Sequence, residues 1–71
     1  MPRFLVTTRR ELLGEAPSAR AVVTSDPSVK IVQIHSADMV TIDATDAAAD
    51  ELKQKVAATH YVEPEIRRDL L

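Results

Sequence analysis

Two neighbouring stretches, Val29 to His35 and Met39 to Ala44, alternate apolar and polar side chains and are separated only by the polar turn Ser36-Ala37-Asp38. A period of two puts successive side chains on opposite faces of an extended chain, so this pair is expected to form an antiparallel β-hairpin. In the first stretch Val29, Ile31, Gln33 and His35 share one face, with Lys30, Val32 and Ile34 on the other. In the second, Val40, Ile42 and Ala44 oppose Met39, Thr41 and Asp43. An isolated hairpin is marginal in water, so the flanking segments decide the fold.

Upstream, Arg3 to Thr8 sets Phe4 and Val6 against Arg3, Leu5 and Thr7, and its β-branched and aromatic content favours a strand. Leu12, Leu13, Ala16 and Ala19 then recur at helical spacing, but Gly14 and Pro17 interrupt them, so Arg9 to Ala21 predicts a short or irregular helix. Ala21-Val22-Val23-Thr24 fits either the end of that helix or a brief strand, and Ser25-Asp26-Pro27-Ser28 reads as a turn.

Downstream, Thr45 or Asp46 suits an N-cap, and the spacing predicts a helix from Asp46 to Ala58. Ala49, Leu52 and Val56 form its inward stripe, while Glu51 and Lys55 stand as an exposed i,i+4 pair. His60 to Glu63 is a last extended piece, halted by Pro64, which lacks the amide a central ladder needs. Glu65 to Leu71 continues as a charged tail.

The order strand, weak helix, strand, strand, helix, strand is that of the split βαβ, or ferredoxin-like, α+β arrangement. It implies a four-stranded antiparallel sheet with two helices on one face, the first helix short or irregular. The opposite face is then open. It is expected to carry either Val29 and Ile31 or Val32 and Ile34, depending on register, and apolar surface there points to a partner.

At 71 residues the chain holds one domain, spanning 1–71 with 66–71 as its tail, because a chain this small buries only about 60% of its unfolded surface. Nine basic against eleven acidic residues give a net charge of −2, no field for a phosphate backbone. RNA-binding sheets of this architecture also stack bases on several aromatics, whereas Phe4 and Tyr61 are the only two here. Nucleic acid is therefore not an expected partner.

Catalytic chemistry has no recognisable apparatus in the sequence. The chain has no cysteine, hence no thiolate nucleophile or disulfide, and a single glycine, too few for a phosphate-cradling loop. Ser18, Ser25, Ser28 and Ser36 lack the G-x-S-x-G frame, and Asp50-Glu51 falls on the exposed side of the expected helix. His35 and His60, with Asp38 or Asp43, lack the i,i+4 pairing of a helical metal site. The expectation is a non-enzyme with no cofactor and no metal. Phe4-Leu5-Val6 is too short an apolar run for a signal peptide or a membrane span, so the chain is expected off the membrane. It is expected to be cytoplasmic if complete as given and secreted if excised from a precursor.

In Ile42-Asp43-Ala44-Thr45-Asp46-Ala47-Ala48-Ala49-Asp50-Glu51-Leu52, followed by His60-Tyr61-Val62-Glu63-Pro64-Glu65, the chain resembles the subtilisin prodomain family. In that family a strand, helix and hairpin precede a helix opened by Thr or Ser with acidic and Ala residues, and a closing segment similar to Tyr61-Val62-Glu63-Pro64-Glu65. The likeness covers nearly the whole chain. Pro27-Ser28 stands where the family often has glycine before the hairpin.

The resemblance implies an inhibitor, and a folding chaperone, of a subtilisin-type serine protease, monomeric when free. Its sheet would lie on two surface helices of the enzyme, with Glu63 and Glu65 capping their N-termini. The tail would run product-like through the substrate cleft, with Leu71 in the primary pocket and Leu70, Asp69 and Arg68 in successive subsites. Arg68 departs from the apolar residue such enzymes generally favour at the fourth subsite. The other reading is a non-catalytic ferredoxin-like interaction or regulatory module that needs no special tail.

Overall fold

Phe4 and Val6, spaced two apart in the first strand, bury their side chains together with Val40 and Ile42 from a neighbouring strand, and around this pair of strands the domain is built. In the computed structural model, which describes residues 2–65, the elements are β1 (Arg3–Thr8), a 3-10 turn (Arg10–Leu12), α1 (Ala19–Thr24), β2 (Lys30–Ser36), β3 (Met39–Asp43), α2 (Asp46–Val56) and β4 (His60–Pro64). The sheet order is β2-β3-β1-β4 with every neighbouring pair antiparallel. This is the expected ferredoxin-like α+β fold.

One core joins both helices to one sheet face. Ala19 and Val23 of α1, and Ala49, Leu52 and Val56 of α2, pack with Phe4, Val6, Val40, Ile42 and Val62. The predicted stripe of α2 is thus the buried one, and its N-cap is Thr45, whose hydroxyl accepts from the Ala48 N–H at 3.1 Å. The helix ends at Val56, two residues before the expected Ala58. Glu51 and Lys55 form no ion pair; the only one among the described residues is Arg3–Asp43, at 3.4 Å. Asp43 Oδ1 has no aligned hydrogen-bond donor, so that contact is Coulombic and, half-exposed, contributes little.

The first helix is short, as expected, but lies later in the chain. Gly14 takes φ +83°, a left-handed conformation open to glycine at little cost, and the backbone turns away before a helix can propagate through Leu12 and Ala16. After Pro17 the helix restarts with Ser18 as its cap, its hydroxyl accepting from the Ala21 N–H at 3.2 Å. Ala21 to Thr24 therefore completes a helix rather than forming a strand.

The alternation expected in β2 does not survive. Ile31 pairs with Ile42, Gln33 with Thr41, Ile34 with Val40 and Ser36 with Met39, with register irregularities between Ile31 and Gln33 and between Ile34 and Ser36. A bulge inserts an unpaired residue and resets which side follows. Ile31 and Ile34 consequently both stand opposite core residues. Val29 and Ile31 pack against the core, whereas Ile34, although paired with Val40, is left 49% exposed.

Candidate functional site

The open face is assembled by strict alternation along β1, β3 and β4. Opposite the core residues stand Arg3, Leu5 and Thr7 of β1, with Asp43, Thr41 and Met39 paired to them across β3. On the other side of β1, Glu63 pairs with Leu5 and Tyr61 with Thr7, and the Glu65 N–H extends the ladder by donating to the Arg3 carbonyl at 2.9 Å. Tyr61 and Glu63 therefore share one side of β4 while His60 and Val62 are buried on the other, and Glu65, just past the strand, lines the groove on the open face.

This face is graded from end to end. At one end Lys30, Asp43, Arg3 and Glu65 follow one another across the four strands with alternating charge. At the other, Met39 and Tyr61 flank Thr7 and are large apolar side chains left 38% and 42% exposed. Between them lies a shallow groove of about 400 Å³ lined by Leu5, His35, Met39, Thr41, Glu63, Pro64 and Glu65. Its floor is ordered: Thr41 is buried, and its hydroxyl lies 2.8 Å from His35 Nε2.

Glu63 and Glu65 are exposed and take part in no ion pair among the described residues. Carboxylates so placed suit an outside group that is positive or rich in N–H donors, such as a helix N-terminus. Arg68, Asp69, Leu70 and Leu71, the other residues expected to bind, lie outside the described residues.

Each histidine has local partners. His35 bonds Thr41. His60 is buried, with Nδ1 2.6 Å from the Thr59 hydroxyl and Nε2 2.9 Å from the Pro17 carbonyl, so its ring ties β4 to the segment before α1. No group of three or more His, Asp or Glu side chains among the described residues is placed to hold a metal ion. No helix is long and apolar enough to cross a membrane.

A second cavity of about 170 Å³ lies between α2 and the β4 edge, lined by Phe4, Asp46, Ala49, Asp50, Lys53, Val62 and Pro64. The guanidinium of Arg9, half of the basic pair Arg9-Arg10 that reads in sequence as solvated, bonds Ala57 O through Nε and Nη2, at 3.0 and 2.6 Å, and the Tyr61 hydroxyl through Nη1 at 3.1 Å. No local pattern marks it, because its partners lie 48 and 52 residues away. Tyr61 carried a readable signal: it precedes Glu63 by two in a strand.

Searches against protein-family models, curated proteins and solved structures gave no match to this chain.

Proposed function

We propose that this chain binds and inhibits a subtilisin-type serine protease, laying its open sheet face on the enzyme and sending its C-terminal tail product-like into the substrate cleft. The observation that carries the reading is the presentation of Glu63, on edge strand β4, and Glu65, just past its end, along one groove of the open face. Two carboxylates that take part in no ion pair among the described residues, at the C-terminal end of the sheet edge, match what the closing-segment resemblance requires for capping two enzyme helices. No catalytic role is assigned, and a folding-chaperone role follows from the same contacts, since whatever binds the folded enzyme stabilises it.

The test is a titration of the full chain against subtilisin with a chromogenic peptide substrate, beside a chain ending at Asp69. Inhibition that is lost on removing Leu70 and Leu71 supports the reading. Replacing Glu63 and Glu65 together by Ala is expected to weaken inhibition while circular dichroism stays unchanged. An inhibition constant indifferent to both changes favours the tail-independent interaction module of the same fold.

A further inference from the structure

Tyr61 is the one aromatic side chain on the open face, and it is held by more than its own strand. The Arg9 guanidinium lies 4.3 Å from the centre of its ring and donates to its hydroxyl, while the same guanidinium bonds Ala57 O in two places. Ala57 is the C-cap of α2, so Arg9 also satisfies a carbonyl at a helix end where a cation is favoured. The Arg9 N–H, donating to Thr59 O at 2.9 Å, fixes the root of the side chain. One arginine thus locks an exposed aromatic to the far end of a core helix.

Such an arrangement costs ordering free energy in the isolated protein and leaves 42% of a tyrosine in water. Tyrosine, arginine and methionine are enriched where interfaces concentrate their affinity, and an anchor already immobile loses less entropy on binding. Met39 lies on the same face across Thr7, and Glu63 follows Tyr61 by one step along that side of β4.

We infer that Tyr61 is the principal affinity anchor of the docking face and that Arg9 is a positioning residue that pre-organises it. The inference rests on the proposed function: the occupant is the helix-bearing surface of the protease. The carboxylates Glu63 and Glu65 complement its positive helix ends, and Tyr61, two residues before Glu63 on the same side of β4, meets the surface beside them. Charge sets the orientation; Tyr61 supplies the larger share of affinity.

The experiment is a double-mutant cycle on the inhibition constant for subtilisin. Tyr61→Ala is expected to weaken inhibition at least about 30-fold, the range of an interface hot spot. Tyr61→Phe keeps the ring and should cost much less. Arg9→Gln should weaken inhibition about 10-fold in the Tyr61 chain and add almost nothing in the Tyr61→Ala background, a non-additivity that general destabilisation does not produce. If Arg9→Gln does not fold, Arg9→Lys replaces it, keeping a cation for Ala57 O without the planar fork that spans to Tyr61.

A second readout needs no protease. Tyr61 is the only tyrosine and the chain has no tryptophan, so ultraviolet-excited fluorescence anisotropy reports that ring alone. It should fall in the Arg9 variants. Unchanged anisotropy overturns the positioning role, and an inhibition constant unmoved by Tyr61→Ala overturns the anchor role. A wild-type chain that does not inhibit subtilisin overturns the proposed function, and this inference with it.

Discussion

The Thr8 hydroxyl donates to Asp38 Oδ1 at 2.9 Å and, at the same time, accepts from the Ala19 N–H at 3.1 Å. One buried side chain at the end of β1 therefore connects the β2–β3 turn to the start of α1. Two backbone bonds reinforce the junction, Thr8 N–H to Asp38 O at 3.0 Å and Arg20 N–H to Ala37 O at 2.9 Å. A helix of six residues is too short to persist alone, so its position is set by this junction and by Ala19 and Val23 in the core.

Thr8→Val keeps the shape and removes the hydroxyl, leaving the Ala19 N–H without its partner. Stranding a buried donor costs about 1–3 kcal/mol, a large share of the stability of a domain this small. Urea denaturation should show a lowered midpoint, and hydrogen exchange should quicken first in α1. A midpoint equal to that of the wild type would show that the junction is held by its backbone bonds alone.

Leu52 is 1% exposed at the centre of the α2 stripe, touching the core from the helix side. Leu52→Ala removes the transfer free energy of its side chain and opens a cavity, together about 2–5 kcal/mol. Against a total of about 5–15 kcal/mol for ordinary domains, this is expected to lower the melting temperature by about 10 °C or more. Thermal melting by circular dichroism checks it; a loss of under about 1 kcal/mol would mean that neighbouring side chains collapse into the space.

What was legible in the sequence is what depends on local period. The alternation of Arg3–Thr8 and Met39–Asp43 and the stripe Ala49, Leu52, Val56 give β1, β3 and α2 with their buried sides. The faces of β2 were not legible, because its irregular register depends on how Gln33 and Ser36 meet Thr41 and Met39, and no residue of β2 announces that locally. Nor was the placement of α1, where Gly14 at positive φ and the Thr8 junction override the helical spacing of Leu12 and Ala16. On the open face, Tyr61 and Glu63 follow from β4 alternation, whereas Glu65 lies past the strand and Arg9 reaches Tyr61 only through tertiary structure.

Thr45 closes the N-terminus of α2 through its hydroxyl, and the Ala49 N–H donates to its carbonyl at 2.9 Å. Thr45→Ala abolishes the first of these bonds and leaves the second, at a cost of about 1 kcal/mol. Thr45→Ser should restore most of the loss. Equal denaturation midpoints for the Ala variant and the wild type would show that water serves the Ala48 N–H as well as the hydroxyl does.

Asp26 closes the turn before β2, its Oδ1 accepting from the Ser28 hydroxyl at 2.6 Å and from the Ser28 N–H at 2.9 Å. These bonds to Ser28, side chain first and backbone second, hold its carboxyl below the ordinary value of 3.8; slight desolvation opposes them and the Lys55 charge adds a little. A folded-state value lower than the unfolded one means that the turn's stabilisation is full above the ordinary value and is lost as pH falls through the folded one. Stability should therefore decline in the acid range below about pH 4 partly through Asp26. Asp26→Asn keeps an oxygen for the Ser28 N–H but carries no charge, so its denaturation midpoint should lie below that of the wild type at pH 6 and converge on it as pH approaches 2. Two curves that run parallel from pH 6 to pH 2 would remove the Asp26 carboxylate from the acid sensitivity of the fold.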